Sequence, residues 1–150
     1  MSILFIQSLQ DVLIRDLDKL ADDLKQYPSE ESLWQVDGLI KNSAGNLCLH
    51  LCGSLQHFIG TVLGKTSYIR NREAEFATRN VPREKLLAEI AQTKKALEAT
   101  LATLTEAQLK SNYPVDVLGK PMTTLYFLLH LAAHLGYHLG QLNYHRRLTN

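Results

Sequence analysis

Six histidines are the residues of this chain best suited to chemistry, and all six fall in two stretches without a charged residue. His50 and His57 lie in residues 42–64, while His130, His134, His138 and His145 lie in residues 121–145. A lone histidine on an apolar helix is ordinarily a satisfied core or edge residue. Six of six are a different matter. A buried imidazole costs free energy unless its nitrogens find partners, and neither stretch contains a carboxylate. A divalent metal ion would satisfy several imidazoles at once, and histidine ligation suits zinc, nickel and iron alike.

Spacing narrows which histidines could act together. Residues four apart on a helix differ by about 40° in direction and about 6 Å in rise, so their side chains can converge. His130/His134 and His134/His138 both qualify. His130 and His138, about 12 Å apart along the axis, cannot easily share one ion. His50 and His57 lie about two turns apart on one side of their helix, in a stripe with Asn46, Ser54 and Thr61. Either could complete a site, so periodicity leaves two pairs and two third members open. Other arrangements are excluded. Leu135 follows His134, so there is no His-Glu-x-x-His protease motif, and no Glu-x-x-His of the ferritin-like di-iron type occurs. Cys48 and Cys52 project about 160° to 200° away from His50 on a regular helix, and read as small buried thiols.

Four helical segments must position these residues. From Ser2 to about Gln26, Ile3, Ile6, Leu9, Leu13, Leu17, Leu20 and Leu24 recur at threes and fours, with Asp11, Asp16, Asp18, Lys19, Asp22 and Asp23 between them. That is an amphipathic helix, ended by Tyr27-Pro28-Ser29. Residues 82–104 repeat the pattern through Leu86, Ile90, Leu97, Leu101 and Leu104, with Pro82 in the first turn and Thr105/Gln108 as a capping box for a short following turn. The two histidine-bearing segments carry none of the chain's 16 Lys/Arg or 15 Asp/Glu, where average density predicts roughly ten. A bundle helix usually keeps one charged face in water. Two without one imply cover on more than one side, and Gly45, Gly53, Gly60, Ala133, Gly136 and Gly140 would permit close helix approach in a homodimer. Their many polar side chains argue against bilayer spans. Trp34 is expected to plug one bundle end, Ser111 to Lys120 to form a connecting loop, and Arg146 and Arg147 to suit the helix C-terminus.

A chain of 150 residues with a formal net charge of +1 reads as one domain, 1–150, without a field that recruits nucleic acid. The opening residues lack a signal-peptide pattern, so a cytoplasmic protein with reduced thiols is expected.

Three motifs resemble those of the DinB-like (YfiT-like) metal-dependent proteins. His134-Leu135-Gly136-Tyr137-His138-Leu139-Gly140-Gln141-Leu142 is similar to their last-helix motif, in which two histidines four apart precede Gly-Gln. Asn42-Ser43-Ala44-Gly45-Asn46-Leu47-Cys48-Leu49-His50-Leu51 is similar to their second-helix motif, and residues 70–76 resemble the Arg- and acid-rich connection of a subgroup largely of unknown function. The resemblance implies an all-α, up-down-down-up four-helix bundle, usually dimeric, with a three-histidine site. Carried over by position, the metal ligands are His50, His134 and His138, with His57 and His130 as neighbours. One departure is Leu139, where the family commonly has arginine.

The resemblance further implies a metal-dependent hydrolase or low-molecular-weight-thiol S-transferase acting on a small electrophile. The rival is a non-catalytic dimeric ligand-binding or stress-related bundle whose metal is structural or absent. No general base is identifiable. Glu73 or Glu75 could reach the site from the connection, although a solvated charged loop is the plainer expectation there.

Overall fold

The computed structural model describes residues 2–149; Met1 and Asn150, the two ends of the expected 1–150 domain, lie outside the described residues. Four long helices form the bundle: α1 (Ser2–Gln26), α2 (Ala44–Leu55), α4 (Arg83–Leu101) and α6 (Thr124–Leu148). Two short ones, α3 (Arg72–Ala77) and α5 (Glu106–Lys110), sit in the connections. Each long helix packs on two others, α1 on α4 and α6, and α2 on α4 and α6, so α1 and α2 face each other diagonally. Among the described residues no helix is long and apolar enough to cross a membrane.

Hydrogen bonds between segments give the helix directions. Taking α1 as running upward, Arg83 at the start of α4 donates to the carbonyls of Lys25 and Tyr27 at the top of α1. α4 therefore begins at the top. Asn46, near the start of α2, donates to the carbonyls of Glu75 and Thr78, a few residues before α4 begins. α2 thus also starts at the top, and the crossover carrying α3 climbs back along it. α6 ends where α1 ends, because Tyr27 and His145 bond to each other. The order is up-down-down-up, as the motifs imply.

From Ile6 onward the apolar stripe on α1 packs as its spacing predicts, with Leu9, Leu13, Leu17, Leu20 and Leu24 all buried, whereas Ile3 at its start is exposed. Leu86, Ile90, Leu97 and Leu101 do the same for α4. Two polar gap residues on α1 depart from the expectation. Asp16 and Asp23 are buried, because α6 covers the side of α1 on which they lie. Asp23 accepts from Asn143 at 3.0 Å and from Arg146 at 2.9 Å, so Arg146 does more than meet the helix dipole. The Thr105/Gln108 capping box forms at α5. Pro82 sits one position earlier than expected, at the residue before α4, where its missing N–H costs nothing.

The stretch expected as one regular helix over 42–64 changes pitch. Ser43 caps α2, and from Gln56 to Thr61 the chain is π-helical, with Val62 N–H donating to His57 and Gly64 N–H to Ile59. The wider turn releases the Phe58 carbonyl, which Tyr113 from the loop before α6 takes up at 2.6 Å. The glycines also serve differently from the expectation. On α2, Gly45 makes room for the Trp34 ring and Gly53 for the Glu75 carboxylate, both from this chain.

At the top of the bundle, His145 Nε2–H donates to the Gln35 carbonyl at 2.7 Å, which leaves Nδ1 to accept from the buried Tyr27 hydroxyl at 2.6 Å. Tyr27→Phe strands that nitrogen away from water and should cost about 1–3 kcal/mol in urea unfolding. No measurable loss would mean that the bond contributes nothing beyond packing.

Candidate metal centre

α2 and α6 lie side by side, and their contact brings together three of the six histidines. His50 projects from the second turn of α2; His134 and His138 project from successive turns of α6. His50 Nε2 and His134 Nε2 are 3.2 Å apart, and one donor nitrogen from each of His50, His134 and His138 lies within 4.8 Å of the others. His50 is buried, while His134 and His138 are partly open to solvent. The other three stand apart. His130, one turn earlier on α6, stacks on Phe127 with ring centroids 5.7 Å apart. His57 rides on the π-helical turn beside Phe58, and His145 serves the top of the bundle.

The partners of these rings determine which nitrogens face inward. His50 Nδ1 lies 3.1 Å from a carboxylate oxygen of Glu75, an acceptor, so Nδ1 carries the proton and Nε2 presents a lone pair. His138 Nδ1 donates to Gln141 Oε1 at 2.7 Å, with the same consequence for its Nε2. Burial, reinforced by the neighbouring His138, His50, His130 and Arg70, pushes His134 down to about 4. His138 is also lowered, by burial first, against the raising effect of its bond to Gln141. His134 and His138 are therefore held as uncharged nitrogen donors near neutral pH, and the cluster contains no carboxylate. Two nitrogens each about 2.0–2.1 Å from a zinc ion at tetrahedral angles stand about 3.3 Å apart. The donor type and the 3.2 Å spacing both fit a divalent transition-metal ion.

The expectation of a solvated acidic connection holds for Glu73, which is exposed, and fails for Glu75, which is 6% exposed. Glu75 turns inward because Asn46 binds its backbone carbonyl and because Gly53 leaves a gap for its carboxylate. Burial pushes this carboxyl up, but the bonds from His50 and Arg70 outweigh it and hold Glu75 below its ordinary value. Arg70 donates to both carboxylate oxygens, at 2.8 and 2.9 Å, and lies over the Phe58 ring. Sequence reasoning placed Arg70 and Asn46 within motifs but assigned them no part at the site. The only signals were a buried-face asparagine near a helix start and an arginine five residues before an acid.

The low value of His134 has a consequence for stability. An unfolded histidine protonates near 6.5, while His134 in the folded chain resists protonation down to about 4. Between those values the unfolded state binds more protons, so stability is present above 6.5 and is lost as pH falls toward 4. The urea midpoint of metal-free protein should drop between pH 7 and pH 4.5, and drop less in His134→Gln. Equal slopes for the two proteins would mean that His134 is not the group responsible.

Known proteins supply a comparison. A DinB-like protein from Bacillus cereus superposes with a TM-score of 0.72 at 20% identity, covering 96% of this chain and 89% of that one. A conserved protein from Enterococcus faecalis superposes with a TM-score of 0.75 at 19% identity, covering 95% of each chain. At such identities the likeness shows the fold alone. No curated protein sequence matches the chain. The family profile of the DinB superfamily matches residues 8–142, a span that includes parts of all four bundle helices and the three clustered histidines, and the chain belongs to that superfamily.

Proposed function

We propose that His50, His134 and His138 hold a divalent metal ion, and that the protein is a metal-dependent hydrolase or low-molecular-weight-thiol S-transferase acting on a small electrophile. The observation that carries the reading is the meeting of three donor nitrogens within 4.8 Å. An ion held by neutral imidazoles keeps its double charge and, with a position left open, supplies the Lewis acidity that makes water or a thiol nucleophilic near neutral pH. Zinc, nickel and iron all suit the donors.

The chain's own groups divide the remaining work. Glu75 and Gln141 orient His50 and His138 through their Nδ1 protons. Glu75 does not serve as the general base: its carboxylate is buried and already accepts from His50 and twice from Arg70. A structural metal would call for a fourth protein ligand. Among the described residues the cluster has the three histidines alone, and two of them are open enough for a small molecule to approach. That favours the enzyme reading over a structural metal. We place the protein in the cytoplasm, on the composition and its two free thiols.

A homodimer through α6 accompanies this reading. The outer face of α6 carries exposed Tyr126, Leu129, Tyr137 and Tyr144 without a charge until Arg146. Such an apolar stripe suits a second copy of itself about a two-fold axis. Sedimentation should find a dimer, and Leu129→Glu should yield a monomer; a monomeric parent protein removes this part.

Elemental analysis of untagged protein should find one metal per chain, and His138→Ala should abolish its tight binding. Equal metal content in parent and variant removes the reading. A screen of thiol acceptors with the metal-loaded form then separates transferase from hydrolase.

A further inference from the structure

We infer that Glu75 and Arg70 form a positioning pair that fixes the His50 ring with Nε2 aimed at His134 and His138, and that Gly53 is the slot that admits the carboxylate. For its functional meaning the inference rests on the metal reading above. The ring orientation itself is open to test without a metal.

Four observations converge on the pair. The Glu75 side chain is 6% exposed, so its charge needs close partners. Arg70 meets it with a two-point contact, Nε to Oε2 at 2.8 Å and Nη2 to Oε1 at 2.9 Å, which fixes the plane of the carboxylate as well as its position. Oε1 then receives the His50 Nδ1 proton at 3.1 Å. Arg70 Nη2 also lies 3.4 Å from that Nδ1, but both carry protons in this arrangement, so the approach is a contact and not a bond.

The slot is the second observation. A Cβ built on Gly53 would lie 2.0 Å from Glu75 Oε2 and 2.7 Å from its Cδ. Any side chain at this position therefore displaces the carboxylate, whose atoms are the nearest to it. The third is the anchorage of the segment. Asn46 Nδ2 donates to the carbonyls of Glu75 and Thr78 at 2.9 and 2.8 Å, pinning the segment to α2 at the acid itself and three residues beyond it. The fourth is Phe58, whose ring, set by the π-helical turn, lies 5.5 Å from the Arg70 guanidinium.

A buried ion pair is by itself weak evidence of a stabilising role, since packed hydrocarbon often does as well. The geometry here gives it a direction: the free edge of the pair faces a histidine. Carboxylates behind liganding histidines fix the tautomer, and their loss typically weakens metal binding about 10–100-fold.

The test uses the full chain, with zinc affinity read by competition against a chromophoric chelator. Glu75→Gln and Gly53→Ala should each weaken binding by about 10–100-fold. The double variant should be no weaker than the worse single one, because both remove the same contact. Gly53→Ala leaves His50, Glu75 and Arg70 chemically intact, so its loss reports position. Parent-like affinity in both single variants, or additive losses, overturns the inference. A second readout requires no metal and no variant that folds: ¹⁵N NMR of the imidazoles in metal-free parent protein. His50 should carry its proton on Nδ1. A proton on Nε2 overturns the inference even if zinc binds. Failure of the parent protein to bind zinc removes the metal reading, while the NMR result still decides the orientation.

Discussion

The α2–α6 contact holds two ring nitrogens, His50 Nε2 and His134 Nε2, 3.2 Å apart between two stretches of helix that carry no charge. That arrangement persists in a folded chain only where the helices carrying the rings are firmly seated and the other ring nitrogens are satisfied. The seating comes from both flanks. α6 is packed along α1 and tied to it at Asp23 and Tyr27, and α2 is packed on α4 and capped by Ser43. The satisfaction comes from Glu75 for His50 and Gln141 for His138.

The topology supplies what the two helices lack. In an up-down-down-up bundle the second and third long helices run the same way, so the chain must travel back the whole length of α2 before α4 can start. This return segment passes over the face of α2 that bears His50. It brings Arg70 and Glu75 to a helix that has no charge of its own, and Asn46 and Gly53 receive them. A connection required by the winding of the bundle thereby becomes the support of the site.

The support is unequal across the three rings. His50 is backed by a carboxylate whose charge Arg70 balances, and His138 by a neutral amide. His50 is also the deepest of the three, leaving the α6 pair nearer to solvent.

The sequence by itself determined what depends on local period. The apolar stripes of α1 and α4, the capping box at Thr105 and the four-residue step between His134 and His138 all follow from 3.6 residues per turn. The three motifs added the fold and the choice of His50 over His57, and of His138 over His130, as an implication of resemblance. Tertiary structure decided the rest. Whether Glu75 faces water or His50 depends on a gap at Gly53, 22 positions earlier, and on an asparagine 29 positions earlier. Asp16 and Asp23 look like solvent-side residues until α6, more than a hundred positions later, covers them. The π-helical turn at Gln56–Thr61 left no mark in the hydrophobic pattern. These are contacts between distant segments, set by which surfaces meet when the bundle closes, and a helical period carries no information about a neighbour it has not yet met.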